Sequence, residues 1–449
     1  MGWPLAASGC SKDGPEPVAS TTTATTITST TASSAAPAGG ADSGWRVAAA
    51  PAGHEAGARP SFADFNVVLL SIDSWRDDMP WTGYSRAIAP RLTELEKRAV
   101  DFDHAYSVSS YTSMSLGGLL AGRVPSELQR DGYFFGIYRK GQFFPKALQR
   151  AGVHTMGVMA HMYFKGAGFD SGFDDWRLVP GITFDPNTDR DITSPEHEKL
   201  AEEMLGDPAN DSRRFFFWAH FLDPHDLYMR HEGIDWGSGP RDRYDGEVQF
   251  TDGYVGKLLD FIAARPWGKH TVIILTADHG EEFGEHGMTR HGFEVWNTLV
   301  HVPLMVLAPG ATAKHVAPSR SGLDLAPTIL EFFGVPPDPA FEGKSLVPEI
   351  YGEAPEERDI VVDLPATSDN GRRRALVHGD QKLICFDNDT ACKLFDLATD
   401  PLEKAPISRG PDFHDMRVRY DAVAKTIKEV APWGCGPDCL NGAYRKKQP

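Results

Sequence analysis

Five apolar runs of strand length constrain the fold of this 449-residue chain more than any other feature. They are NVVLLSI (66–72), HTMGVMA (154–160), RFFFWAHF (214–221), TVIILTA (271–277) and HVPLMVLA (301–308). Between them lie amphipathic segments such as PRLTELEKRAV (90–100) and EVQFTDGYVGKLLDFIAA (247–264). In the second, Val248, Val255, Leu258, Leu259 and Ile262 recur at helical spacing. Apolar strands alternating with helices predict an α/β fold, a mostly parallel sheet sandwiched by helices. The pattern changes near Glu357. RDIVVDL, RRALVHG, QKLICF and CKLFDLA are short runs joined by hairpin turns, with no helix between them. They predict a small C-terminal antiparallel sheet (358–400), followed by a helix near 416–430.

This gives three segments: 1–61, a leader and tether; 62–355, the α/β domain; and 356–449, a C-terminal subdomain. The opening MGWPLAASGC runs small residues into Cys10, like the end of a bacterial lipoprotein signal. Only nine residues precede the cysteine, none of them Lys or Arg. Two readings stay open, a lipidated Cys10 or a cysteine without function in a polar tail. From Val18 to Gly44 the chain is mostly Ser, Thr, Ala, Pro and Gly, too poor in large apolar groups to offset its ordering entropy. The remaining cysteines fall in two close pairs, Cys385 with Cys392 and Cys435 with Cys439. Both read as disulfides and imply an oxidising compartment. The expected location is the bacterial cell envelope, periplasmic or outer-surface with a possible lipid anchor, or secretion.

In open α/β sheets the reactive groups sit beyond the carboxyl ends of the strands. That rule selects Asp73 in LLSIDSWRDD, Asp223 and His225 in HFLDPHDLY, and Asp278 with His279 in ILTADHGEEFGEHG. Taken singly, an acid after a strand is as readily a helix cap. Together these residues read as a divalent-metal site. SYTSMSLGGLLAGR (110–123) places hydroxyls at the start of a helix ending at Gly122. Alone, Thr112 or Ser113 reads as the cap of that helix; beside a metal, the same hydroxyl becomes a nucleophile. A net charge of −17 excludes a general nucleic-acid binder, though not an anionic ester held by a metal. No run approaches the length of a membrane-spanning helix.

The order of these stretches resembles the sulfatase family of the alkaline phosphatase superfamily across 65–400. The likeness runs from NVVLLSIDSWRDD, APRLTELEKRAVDFDHAYSVSSYT and LLAGRVP through HFLDPHDLY, YDGEVQFTDGYVGKLLD, ILTADHGEEFGEHG and HVPLMVLAPG. It ends in DLAPTILEFFGV, FEGKSLVP and CKLFDLATDPLE. The resemblance implies one metal site from Asp73, Thr112, Asp278 and His279, with Thr112 at the nucleophile position. It implies that His225 and His291 bind the substrate anion or protonate the leaving group. Where the family has a lysine that this chain lacks, His161 is at best a partial substitute, and it joins His225 and His291 as a substrate-binding candidate. The metal would be Mn, Zn, Ca or Mg, an imidazole ligand favouring Mn or Zn over Ca.

The chain also departs from the family. Where sulfatases carry a CxPSR-type pattern matured to formylglycine, it reads Thr112-Ser113-Met114-Ser115-Leu116. The modifiable cysteine, the proline and the arginine are absent, and threonine cannot become formylglycine by that route. Threonine at this position resembles the phosphoryl-transfer relatives. The expected activity is therefore hydrolysis of a phosphate or sulfate ester through a covalent Thr112 intermediate, on a small-molecule, glycan or lipid-head-group substrate. Two alternatives stand beside it: transfer of a phosphoryl-linked head group to an envelope acceptor, and a catalytically silent protein binding an anionic glycan.

Overall fold

The computed structural model describes residues 59–132, 137–182, 192–367 and 370–431. Cys10, the Cys435–Cys439 pair and nearly all of the 1–61 segment lie outside them.

Eight strands form the main sheet: β1 (Asn66–Ile72), β2 (Val100–Phe102), β3 (His154–Met159), β4 (Asp175–Leu178), β5 (Phe215–Phe221), β6 (Thr271–Ala277), β7 (Leu304–Leu307) and β8 (Lys314–Val316). Their spatial order is β8-β2-β7-β6-β1-β5-β3-β4. β1 lies at the centre, parallel to both β5 and β6, and every one of its residues is buried. Its side chains alternate between two cores. Val67 and Leu69 join Phe216, Trp218, Val272 and Ile274 on one face; Val68, Leu70 and Ile72 join Phe217, Ala219, Ile273 and Leu275 on the other. This two-sided burial is why the run carries no polar alternation. The sheet is mixed, because β7 pairs antiparallel with β6 and with β2. An apolar run has the same composition in either direction, so the sequence of HVPLMVLA carries no sign of that reversal.

Helices cover both faces. Leu116, Leu119 and Leu120 of α2 (Thr112–Ala121) pack on the first core beside Ile329 and Leu330 of α5 (Leu325–Phe332). α1 (Pro90–Glu96), α3 (Ser194–Leu205) and α4 (Pro240–Ala263) cover the second. α4 starts at Pro240, a turn and more before the apolar periodicity does, because a proline in the first turn loses no intrahelical hydrogen bond.

A four-stranded antiparallel sheet follows: β9 (Ile360–Leu364), β10 (Arg373–His378), β11 (Gln381–Phe386) and β12 (Ala391–Asp396). Cys385 and Cys392 are register partners across β11 and β12 and are joined by a disulfide. The last helix, α6 (Pro411–Ala424), begins earlier than its sequence periodicity, again at a proline. Ile360, Val362, Ala375 and Ile384 pack against Met114 of α2 and against Leu299 and Val300. The small sheet thus supports the helix that carries Thr112.

Asp363 fixes this junction. It is fully buried, accepts from the Ser126 amide (2.8 Å) and from Arg374 Nε (2.9 Å), and its own amide donates to the Val108 carbonyl (2.9 Å). Asp363→Ala leaves the Arg374 guanidinium buried without its main counter-charge, which costs about 3–5 kcal/mol. Urea denaturation should show that loss, and a change below about 1 kcal/mol would contradict it.

Candidate active site

β1 and β6 are parallel neighbours in register, Ile72 beside Ala277, so the residues that follow them, Asp73 and Asp278, emerge side by side. Both are buried. The Ser74 hydroxyl donates to Asp73 Oδ1 (3.0 Å), and the Ser74 and His279 amides donate to Asp278 Oδ1 (3.3 and 2.9 Å). Ser74 holds this bridging position with a left-handed φ of 56°, a conformation that non-glycine residues adopt at local cost. The second oxygen of each acid, Asp73 Oδ2 and Asp278 Oδ2, is buried and accepts no hydrogen bond.

His279 is fully buried beside them, its Nε2 lying 3.6 Å from Asp73 Oδ1 and 3.3 Å from Asp278 Oδ2. Its Nδ1 donates to the Gly280 carbonyl (3.0 Å), which leaves Nε2 with a free lone pair. The Thr112 hydroxyl donates to that atom at 3.0 Å. Thr112 is therefore not the cap of α2. The capping position belongs to Tyr111, whose side chain makes no capping bond, and Thr112 is the first helical residue.

α2 is held tightly. Ser115 donates to the Asp278 carbonyl (2.6 Å), the Tyr138 hydroxyl donates to the Ser113 carbonyl (2.7 Å), and Gly122 ends the helix in the left-handed region. Gly117 lies against the Tyr138 ring, and a Cβ there would come within 2.5 Å of it. Gly117→Ala should cost about 1–3 kcal/mol by forcing Tyr138 off the helix. Thermal unfolding checks this, and an unchanged midpoint would show that the ring yields freely.

A fourth ligand-type residue went unseen in the sequence. His220, inside β5, has no exposed surface, and its Nε2 lies 3.4 Å from Asp73 Oδ2. Donor atoms of Asp73, His220 and Asp278 all fall within 4.8 Å of one another. Ser71 Oγ, which accepts from Trp218 Nε1 (2.9 Å), sits 2.9 Å from His220 Nδ1 and orients the ring. The available signal was a single imidazole in the otherwise apolar FFFWAHF. Asp223, grouped with the metal residues by its position after a strand, is occupied elsewhere. Its carboxylate accepts from the Thr193 and Ser194 amides (3.2 and 2.8 Å) and from the Thr193 hydroxyl (3.1 Å), capping α3.

Burial and mutual repulsion set the electrostatics of the two acids. Burial pushes Asp73 up, but His225, His220 and His279 outweigh it and hold the carboxyl well below its usual range. Burial and the charge of Asp73 together push Asp278 well above its own. Burial, with His291, keeps His279 neutral. Two buried carboxylates with unpartnered oxygens and a neutral imidazole lone pair fit a divalent cation. Asp73, Asp278, His279 and His220 are the residues that would hold it, with Thr112 Oγ1 next to them.

From this cluster a row of imidazoles runs outward. Ring centroids lie 4.2 Å apart for His279 and His291, 5.0 Å for His291 and His225, and 6.3 Å for His225 and His161. His291 Nδ1 donates to the fully buried Glu281 carboxylate at 3.2 Å. Burial alone would lower this imidazole; the Glu281 charge and hydrogen bond leave it above the ordinary histidine value. Glu281 is the second residue that sequence reading missed. His225 Nδ1 donates to the Asp226 carbonyl (2.9 Å), while His161 Nδ1 accepts from the Tyr163 amide (2.9 Å).

The doubly covered sheet, with carboxylates, imidazoles and a helix-leading hydroxyl at one end, defines a hydrolase of sulfuric or phosphoric esters. The chain belongs to the sulfatase family, matching the family described as Sulfatase over residues 65–335. Residues 284–429 match the family described as N-sulphoglucosamine sulphohydrolase, C-terminal. The chain is 22% identical to a choline-sulfatase of Rhizobium meliloti, over 84% of this chain and 92% of that one. A putative sulfatase from Bacteroides thetaiotaomicron superposes with a TM-score of 0.68 at 16% identity, covering 84% of this chain and 96% of that one. The phosphonate monoester hydrolase of Silicibacter pomeroyi does so with a TM-score of 0.65 at 20% identity, covering 81% and 95%.

Proposed function

We propose that this protein hydrolyses a phosphate or sulfate ester, with Thr112 as the covalent nucleophile. The observation that carries the reading is the Thr112 hydroxyl at the N-terminus of α2, 3.0 Å from His279 Nε2 and beside two buried carboxylates with unpartnered oxygens. A divalent cation held by Asp73, Asp278, His279 and His220 would supply positive charge to neutralise a substrate oxygen and lower the pKa of a neighbouring hydroxyl. Thr112 gives up its proton to solvent, and Oγ1 forms the new bond to phosphorus or sulfur as the bond to the ester oxygen breaks in line. Amides at the start of α2 face the charge on the transferred group. His291, its Nδ1 anchored on Glu281, presents Nε2 to the departing oxygen and supplies its proton. His225 and His161 hold the anion. Water then attacks the phosphoryl or sulfuryl group and breaks its bond to Oγ1; the proton it loses returns to His291, and Oγ1 takes one from solvent to restore the threonine.

Two relatives bracket the substrate: a choline-sulfatase and a phosphonate monoester hydrolase. We favour the phosphoryl side, because the Cys, Pro and Arg of the sulfatase pattern are replaced by Thr112, Met114 and Leu116. The Cys385–Cys392 disulfide supports an oxidising compartment outside the cytoplasm. No helix among the described residues is long and apolar enough to cross a membrane.

Turnover should be measured on an aryl sulfate, a phosphate monoester, a phosphodiester and a phosphonate ester. Thr112→Ala should abolish turnover of whichever ester the wild type cleaves, and activity retained in that variant would exclude the covalent route. A dominant rate on the aryl sulfate would reverse the preference for phosphorus. Chelation should stop turnover, and add-back of Mn or Zn should restore it in the wild type but not in Asp278→Asn. Turnover indifferent to chelators would rule out the cation.

A further inference from the structure

The hairpin that carries the proton donor His291 is held at its turn by a residue with no role in the proposed reaction. Two short strands, Glu282–Phe283 and Thr289–Arg290, pair antiparallel after β6, with Glu281 just before them and His291 just after. His286 stands in the turn between them. Its Nδ1 lies 2.7 Å from Glu282 Oε1 and its Nε2 lies 2.9 Å from the Leu402 carbonyl, so the ring ties the hairpin to the segment that follows β12. The Trp296 indole lies flat against it, with ring centroids 4.3 Å apart. Only 9% of the His286 side chain is exposed.

Both partners of this ring are acceptors. A carboxylate and a backbone carbonyl have no proton to offer, and a neutral imidazole has one N–H for the two of them. An imidazolium, which donates from both nitrogens, satisfies them together. Glu282 Oε2 is buried and accepts no hydrogen bond, so a charged ring also offsets the burial of that carboxylate. The charged groups facing the ring are Glu282 on the hairpin and Glu403 beside Leu402, the latter ion-paired with Lys382 of β11 at 2.8 Å. Burial lowers the imidazole, but Glu282, the Leu402 carbonyl and Glu403 outweigh it and leave it above the ordinary histidine value.

We propose that His286, as an imidazolium, is a positioning residue that clamps the 281–291 hairpin to the C-terminal subdomain and so holds His291 in place. Its consequence for turnover rests on the reading of His291 as the proton donor; the clamp itself does not. Because the folded-state value lies above the unfolded one, the clamp is complete below the ordinary histidine pKa and is lost as pH rises through the raised value. His291 is raised as well, so a pH profile of activity does not separate the two rings.

Hydrogen–deuterium exchange of the full chain, read by mass spectrometry on a peptide covering 282–290, follows the clamp without substrate. After correction for the pH dependence of amide exchange itself, wild-type protection should fall about tenfold as the ring loses its proton, the order that one hydrogen bond to a charged group contributes. His286→Gln should lack that step. Glu282→Gln, which keeps an acceptor and removes the charge, should move the step to lower pH. A step unchanged in either variant would overturn the proposal. Turnover is then compared on an alkyl and a nitrophenyl ester of the same acid, since the alkoxide needs a proton to leave and the nitrophenolate does not. His291→Gln should slow the alkyl ester far more than the nitrophenyl ester, and His286→Gln should show the same bias at about tenfold. Equal slowing of both esters by His286→Gln, with His291→Gln selective, would overturn the positioning role. If the exchange step behaves as stated while His291→Gln slows both esters equally, the clamp stands and the reading of His291 as proton donor falls.

Discussion

Everything at the active end of this molecule depends on keeping two carboxylates, Asp73 and Asp278, close together and out of water. Each has one oxygen tied down by Ser74 or His279 and one oxygen with no partner. A buried polar atom left unsatisfied costs about 1–3 kcal/mol, and more when charged. The fold bears that cost at the centre of its sheet, where β1 and β6 leave no freedom for the acids to separate. The unpartnered oxygens, His279 Nε2 and the Thr112 hydroxyl form one arrangement. A divalent cation would complete it, and a proton shared between the acids would do so only in part.

The rest of the structure serves this arrangement. α2 has to deliver Thr112 to His279 without slack, and Ser115, Tyr138 and Gly117 hold it on three sides. The C-terminal sheet braces the same helix through Met114, and its own position depends on the buried Asp363–Arg374 pair. The acidic hairpin after β6 turns back so that Glu281 meets His291, while Arg76 donates to the Glu281 carbonyl (2.8 Å) and fixes the backbone there. Residues more than two hundred positions apart thus fix the Glu281–His291 pair.

Much of this was legible in the sequence, for definite reasons. Burial on both faces writes itself as unbroken apolar runs, so β1, β5 and β6, and with them Asp73 and Asp278, followed from pattern alone. Strand direction does not affect composition, which hid the reversal of β7. Asp223 and Asp73 look alike in sequence, an acid after a buried strand, and only the neighbouring start of α3 makes one of them a cap. His220 was masked by its surroundings: within FFFWAHF an imidazole reads as one more core residue until its register with Ser71 is known. Thr112 was ambiguous on local grounds, since a cap and a nucleophile both want a hydroxyl at a helix start. The family resemblance singled it out, and the 3.0 Å contact with His279 gives that choice a physical basis.

The central claim is that Thr112 carries the transferred group during turnover. Mass spectrometry of peptides from protein acid-quenched during steady-state hydrolysis tests it directly. The account predicts one phosphoryl or sulfuryl group on the peptide containing Thr112, present with substrate and absent without it. An unmodified Thr112 peptide during active turnover, or the group on any other residue, would contradict it.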